Sequence, residues 1–287
     1  EGSGEEITIR LLTRMSGADS GTKLKEEVLQ EFQEKYPDIT IQDESTNDSN
    51  SFTNQFKTDV ASGNVADIIQ WPGISIMKEY ADTGVFLDLT DLIAETPDIK
   101  DNVDSTLLDM MELSSVGTEG TYALPINNQM EVFYYNKELF QKAGIEKAPE
   151  TWDEFYDVCD KLKESGVTPW VVGATNAWRV VHIQTGLLYK MCGVEKAKEL
   201  GGRKAKWTDE DVVETIAVIQ DLADRGIFGE DYLGLDYETE KAMFVSGQTA
   251  MSFDGSWRIA ELKDMEDNVG VFRMPYFTDR EEFKDND

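Results

Sequence analysis

Residues 7–43 read ITIRLLTRMSGADSGTKLKEEVLQEFQEKYPDITIQD, and the period of their apolar residues changes twice. Residues 7-ITIRLL-12 form a strand. A helix follows from about Gly21 to Tyr36, with Leu24, Val28 and Phe32 at helical spacing, and Pro37 stops it. Residues 39-ITIQD-43 alternate as a second strand. Working outward, Phe52, Phe56 and Val60 mark another amphipathic helix, and 66-ADIIQ-70 is a short apolar strand that meets Trp71-Pro72-Gly73. A strand–helix–strand–helix–strand order predicts a parallel sheet with helical crossovers.

The remainder continues in the same vocabulary. Residues 75–111 hold short helices separated by Gly84 and Pro97. Residues 120-GTYALP-125 and 131-EVFYYN-136 read as two strands around the polar link 126-INNQM-130. Thr151 with Glu154 makes a capping box for a helix that starts at Trp152. Residues 168-TPWVVG-173 read as a strand, Trp178 opens a long helix toward Cys192, and Thr208 caps a helix that runs to Gly226. Another helix spans roughly Glu238 to Val245, and 249-TAMSF-253 and 269-VGVF-272 are the last strands. Asp254-Gly255-Ser256 reads as a sharp turn into a helix near Trp257. Gly255 would let the backbone turn tightly, and Asp254 or Ser256 would cap the helix. The chain thus predicts two α/β lobes, residues 1–126 and 127–287.

Composition excludes some partners. The 287 residues carry 27 Lys+Arg against 57 Asp+Glu, a formal charge of −30. Such a surface repels phosphate backbones and anionic headgroups, so no nucleic-acid or membrane-surface partner is expected. The loop 43-DESTNDSN-50 lacks the central glycine of a calcium loop, so no metal or cofactor is expected. Cys159 and Cys192 read as buried free thiols, with a disulfide as the alternative. His182, the single histidine, reads as a packing residue.

Ligands of open α/β sheets gather beyond the carboxyl ends of the strands. Here those ends carry Thr13, Arg14, Ser16 and Asp19, then Trp71, then Asn176 and Trp178, then Asp254, Ser256 and Trp257. Asn127, Asn128 and Gln129 lie on the link. Flat indoles beside amides, carboxylates and a guanidinium suit a sugar, whose C–H faces stack while its hydroxyls seek directional partners. Trp152, Trp170 and Trp207 are assigned to core packing. No nucleophile elbow, phosphate loop or Cys-rich metal spacing is present, and no catalytic residue is assigned.

Several stretches resemble the extracellular solute-binding proteins of bacterial ABC importers, of the sugar-binding, maltose-binding-protein-like type. They are 32-FQEKYPDITIQ-42, 61-ASGNVADIIQW-71, 84-GVFLDLTDLI-93, 122-YALPINNQMEVFYYNKELFQKAGI-145, 151-TWDEF-155 and 244-FVSGQTAMSFDGSW-257. The resemblance implies a two-lobed periplasmic-binding-protein-like fold, each lobe a mainly parallel sheet flanked by helices. It also implies that a mono- or oligosaccharide held between the lobes is handed to a membrane permease after hinge closure. It implies an extracytoplasmic monomer, either a cell-surface lipoprotein or periplasmic. Carried onto this chain, it points to Trp71, Gln129, Trp178 and Trp257 as sugar contacts, with the loop from Arg14 to Asp19, Asn128 and Asp254 beside them. Members usually run about a third longer, so C-terminal elements of both lobes are expected to be missing here. The alternatives are a carbohydrate-active enzyme (a glycoside hydrolase) and a binding protein for a non-sugar solute.

Overall fold

A computed structural model describes residues 7–17, 20–71, 76–112, 118–265 and 267–286. The chain divides into two compact units between Asn128 and Gln129, inside the polar link.

In the first unit, β1 (Ile7–Leu12), α1 (Ser20–Lys35), β2 (Ile39–Asp43), α2 (Ser49–Ser62) and β3 (Ile68–Ile69) follow one another. The strands form a wholly parallel sheet in the order β2-β1-β3. The Asp48 carboxylate caps α2 by accepting the Ser51 N–H at 2.7 Å. α2 buries Phe52 and Phe56 against Leu12, Ala66, Ile76 and Met77. The apolar stripe of α1 behaves differently: Leu24 is 61% exposed and Val28 54% exposed. Spacing defines a helix face but not what covers it: the buried core takes helical side chains from α2 and from Met77, and none from α1.

Short helices follow: α3 (Met77–Tyr80), α4 (Thr90–Glu95), α5 (Pro97–Asn102) and α6 (Ser105–Met111). The strand expected at 120–125 is absent; Thr121 makes only an isolated bridge to Glu112. Its backbone groups are taken by the Asp88–Thr90 turn, through Leu89 N–H to the Thr121 carbonyl at 2.7 Å and Thr121 N–H to the Thr90 hydroxyl at 3.1 Å.

The second unit contains β4 (Glu131–Asn136), α7 (Lys137–Lys142), α8 (Trp152–Glu164), β5 (Thr168–Trp170), α9 (Ala177–Gly201), α10 (Glu210–Asp224), α11 (Tyr237–Val245), β6 (Thr249–Gly255) and β7 (Val269–Phe272). Its sheet order is β5-β6-β4-β7. β5 and β6 are parallel, and β4 runs antiparallel to both β6 and β7, so three strands share one direction and β4 opposes them. β6 is buried along its whole length. Met251 and Phe253 enter a core with Phe133, Phe155 and Trp170. The alternate residues Ser252 and Asp254 point to the opposite face, toward α11.

The capping box of α8 forms as the sequence reads. The cap of α10 does not: Asp209 occupies the N-cap position without a side-chain capping bond, because its carboxylate accepts from Lys196 Nζ and Lys206 N–H. Trp152 and Trp170 are core residues, but Trp207 is 60% exposed. Both cysteines are free. Burial raises both thiols, Cys192 to about 11. No helix among the described residues is long and apolar enough to cross a membrane.

Candidate functional site

β6 ends where the second unit gathers its aromatic side chains. The chain leaves Asp254, passes Gly255 and enters a 3-10 helix, Ser256–Met265. Gly255 has no left-handed φ. Its glycine is required by proximity: a Cβ there would lie 2.0 Å from the indole of Trp257. Trp257 folds back over this bare backbone and is only partly buried.

Three elements bring rings to it. Trp178, in the first turn of α9, meets Trp257 edge to face at 6.3 Å between centroids, with 64° between planes. Tyr237, the first residue of α11, meets Trp178 at 4.8 Å. His182, one turn along α9, meets Trp178 at 5.0 Å and Trp257 at 6.2 Å. Edge-to-face pairs satisfy the ring quadrupoles while leaving broad apolar faces. His182 Nδ1 also pairs with the Glu131 carboxylate at the start of β4.

Tyr237 reaches this group because α11 starts against the segment that follows β5. A Cβ on Gly173 would lie 2.6 Å from the Asp236 backbone, so only glycine admits that approach. Asn176 then accepts the Tyr237 N–H at 2.8 Å through Oδ1.

A buried charge network lies behind the rings. Arg179, 1% exposed, donates to Glu240 from Nε at 3.0 Å and from Nη2 at 2.6 Å, and to Asp254 from Nη1 at 3.3 Å. It also donates to the Phe253 carbonyl. Its guanidinium lies 4.8 Å from the Trp178 ring centroid and 5.1 Å from that of Tyr237, so one cation supports both rings. Arg258 donates to Asp254 at 3.3 Å and to the Ser252 hydroxyl at 2.9 Å. Burial alone would lower Arg179, but the hydrogen bonds and charge of Glu240 hold it above the ordinary arginine value. Burial pushes the Asp254 carboxyl up, against the opposing pull of Arg179 and Arg258.

Six of the residues singled out in the sequence belong to this one group. Trp178 and Trp257 supply ring faces, and Asn176 pins Tyr237. Ser256 donates to Gln129 at 2.5 Å, tying the 3-10 helix to the segment that leads into β4. Asp254 is fully buried with both oxygens engaged, so it supports the rings from behind. Neither Asp254 nor Ser256 makes the helix-capping contact that the sequence reading gave them.

In the first unit, Arg14 donates through Nη2 to the Asn47 carbonyl at 2.9 Å, while its buried Nε has no partner. Burial lowers its pKa. Trp71 packs on Phe52 at 5.0 Å and Phe56 at 5.4 Å and is partly buried. Asn128 is exposed, and Asp19 lies outside the described residues.

Sequence reasoning missed Tyr237, Arg179, Glu240 and Glu131, and gave His182 only a packing role. Arg179 adjoins Trp178, which is a signal of sorts. Glu240, a charged residue of α11, is 0% exposed.

Residues 16–282 match the family described as Bacterial extracellular solute-binding protein. The chain is 24% identical over 279 residues to the Multiple sugar-binding protein of Streptococcus mutans, covering 94% of this chain and 63% of that protein. It is 32% identical over 162 residues to the sn-glycerol-3-phosphate-binding periplasmic protein of Rhizobium meliloti, covering 54% of this chain and 36% of that one. It thus spans less than two thirds of the length of either. Among solved structures, a chitin oligosaccharide binding protein superposes with TM-score 0.83 at 28% identity, covering 96% of this chain and 68% of the other. RafE in complex with raffinose superposes with TM-score 0.73 at 26% identity, covering 94% and 68%.

Proposed function

Because this chain belongs to the bacterial extracellular solute-binding protein family, we propose that it captures a mono- or oligosaccharide outside the cytoplasm and delivers it to the permease of an ABC importer. The observation that carries the carbohydrate reading is the pair of partly buried indoles, Trp178 and Trp257, set at 64° to each other beside Gln129, Ser256, Glu131 and His182. A pyranose presents C–H faces that stack on indoles, and a rim of hydroxyls that exchange bonds with amides, carboxylates and an imidazole. Proteins similar to this chain are named for multiple sugars and for chitin oligosaccharides, and one is complexed with raffinose.

The electrostatics favour a neutral ligand over a phosphorylated polyol. Arg179 and Arg258 are buried and paired with Glu240 and Asp254, while Glu131 stands at the ring cluster. A phosphate dianion brought there would meet carboxylate charge, while the guanidinium groups of this network are buried out of its reach.

A thermal-shift screen tests the reading with chitotriose, raffinose, maltose, galactose and sn-glycerol-3-phosphate. A ligand at a hundred times its Kd stabilises the fold by about 2.7 kcal/mol, so binding is read as a rise in melting temperature. At least one sugar is expected to raise it. A rise with sn-glycerol-3-phosphate alone, or with none of the five, would overturn the carbohydrate assignment.

A further inference from the structure

We propose that Tyr237 and Asp254 are positioning residues that lock the Trp257 indole in its stacking orientation before ligand arrives. The inference rests on the carbohydrate reading for its purpose, but on geometry alone for its mechanism. Trp257 Nε1–H donates to the Tyr237 hydroxyl at 2.9 Å, and that hydroxyl donates in turn to Asp254 Oδ2 at 3.0 Å. The single hydroxyl proton is directed to the carboxylate, which leaves the oxygen lone pairs facing the indole. The chain of bonds therefore has one polarity and one arrangement.

Each link is itself fixed. The Asp254 carboxylate is 0% exposed and receives Arg179 Nη1, Arg258 Nη1 and the Gly255 N–H, the last at 2.8 Å. It cannot turn away without leaving buried guanidinium groups unmatched. Tyr237 is held by its N–H on Asn176, by the edge of Trp178 and by the guanidinium of Arg179. On the far side, the Trp257 indole lies against the backbone of Gly255, where even a methyl group would overlap it. An indole held on one side by a hydrogen bond and on the other by bare backbone presents a preformed face. Preorganisation of this kind strengthens binding because the ring's freedom is not lost when ligand docks. It also narrows specificity: the corner between Trp178 and Trp257 keeps its angle, and ligands must fit it.

A bland role for Tyr237, satisfying a buried carboxylate and nothing more, makes a different prediction. In the 287-residue chain labelled with 15N-tryptophan, solvent exchange of the indole N–H groups is measured for Trp257 and for Trp170. Trp170 is buried in the core and its Nε1 has no hydrogen-bond partner, so it reports general opening. Tyr237→Phe keeps the ring and deletes only the hydroxyl. It is expected to speed Trp257 exchange by about tenfold while leaving Trp170 unchanged. Gly255→Ala, which displaces the indole while keeping the Tyr237 and Asp254 side chains and the backbone N–H that Asp254 accepts, is expected to give the same selective acceleration and serves if the first variant folds poorly. Unaltered Trp257 exchange, or equal acceleration at both indoles, would overturn the positioning role. Chitotriose titrated into the same proteins is expected to bind about tenfold more weakly to each variant. Absence of chitotriose binding in the unsubstituted chain counts against the carbohydrate reading for that sugar, whereas the exchange ratio still decides the lock.

Discussion

Little of the core leans on Trp257, since its indole rests on Gly255 and bonds one hydroxyl. Trp257→Ala removes a stacking face and its buried area, so it is expected to weaken sugar affinity by roughly tenfold to a thousandfold. The melting temperature should fall only slightly, and calorimetry beside a titration separates the two. Normal affinity with a collapsed melting temperature would make Trp257 a core residue. Glu240 is the opposite case. It matches Arg179 in a site with no access to water, and removing one member of a buried ion pair costs roughly 3–5 kcal/mol. Glu240→Ala should therefore shift the denaturant midpoint strongly, and a change below 1 kcal/mol would mean that water reaches Arg179 freely.

At the scale of elements, α8 depends on a reciprocal cap. Thr151 accepts the Glu154 N–H at 3.2 Å, and Glu154 accepts the N–H groups of Glu150 at 2.8 Å and Thr151 at 3.3 Å. Thr151→Ala should cost about 1 kcal/mol, read by chemical denaturation. The bonds from the Glu150 backbone, then from Lys147, hold the Glu154 carboxyl below the ordinary glutamate value. A carboxyl depressed in the folded state binds its proton more weakly there than in the unfolded chain. Its contribution is thus complete above the ordinary glutamate range and fades as pH falls through and below it. Glu154→Gln should flatten that part of the stability profile. An unchanged acid limb would show that the cap carries no charge-linked stability.

At the scale of the whole chain, each unit has its own core. Phe52, Phe56 and Leu12 anchor the first, while Phe133, Phe155, Trp170 and Phe253 anchor the second. Exposure makes a sharp contrast within the first unit. Leu24→Glu and Val28→Glu on α1 should each change stability by no more than about 0.5 kcal/mol, as surface substitutions do. Phe56→Ala, deep in the core, should cost roughly 3–5 kcal/mol. A large loss from either glutamate, measured on the 287-residue chain, would show that the α1 stripe is covered after all.

Local periodicity determined most of the elements. β4 and β7 fall on the residues read from sequence, α1 and α8 begin within a residue of their signals, and α2 contains its three marker residues, because caps and apolar spacing act over three or four residues. The crossover order of the first unit was equally legible, since a parallel pair needs a helix between its strands. The reversal of β4, the open stripe of α1 and the loss of a strand at 120–125 were not, because each depends on which distant backbone or side chain competes for the same groups. The site divides the same way. Trp178 and Trp257 stand out by type and by their places at the ends of strands and the starts of helices. The partnership that holds them was invisible: Arg179 meets Glu240 across 61 positions and Asp254 across 75. No periodic pattern encodes a contact at such separations. Only the tertiary structure, by burying three charges where water cannot screen them, turns an ordinary helix residue such as Glu240 into the support of a binding surface.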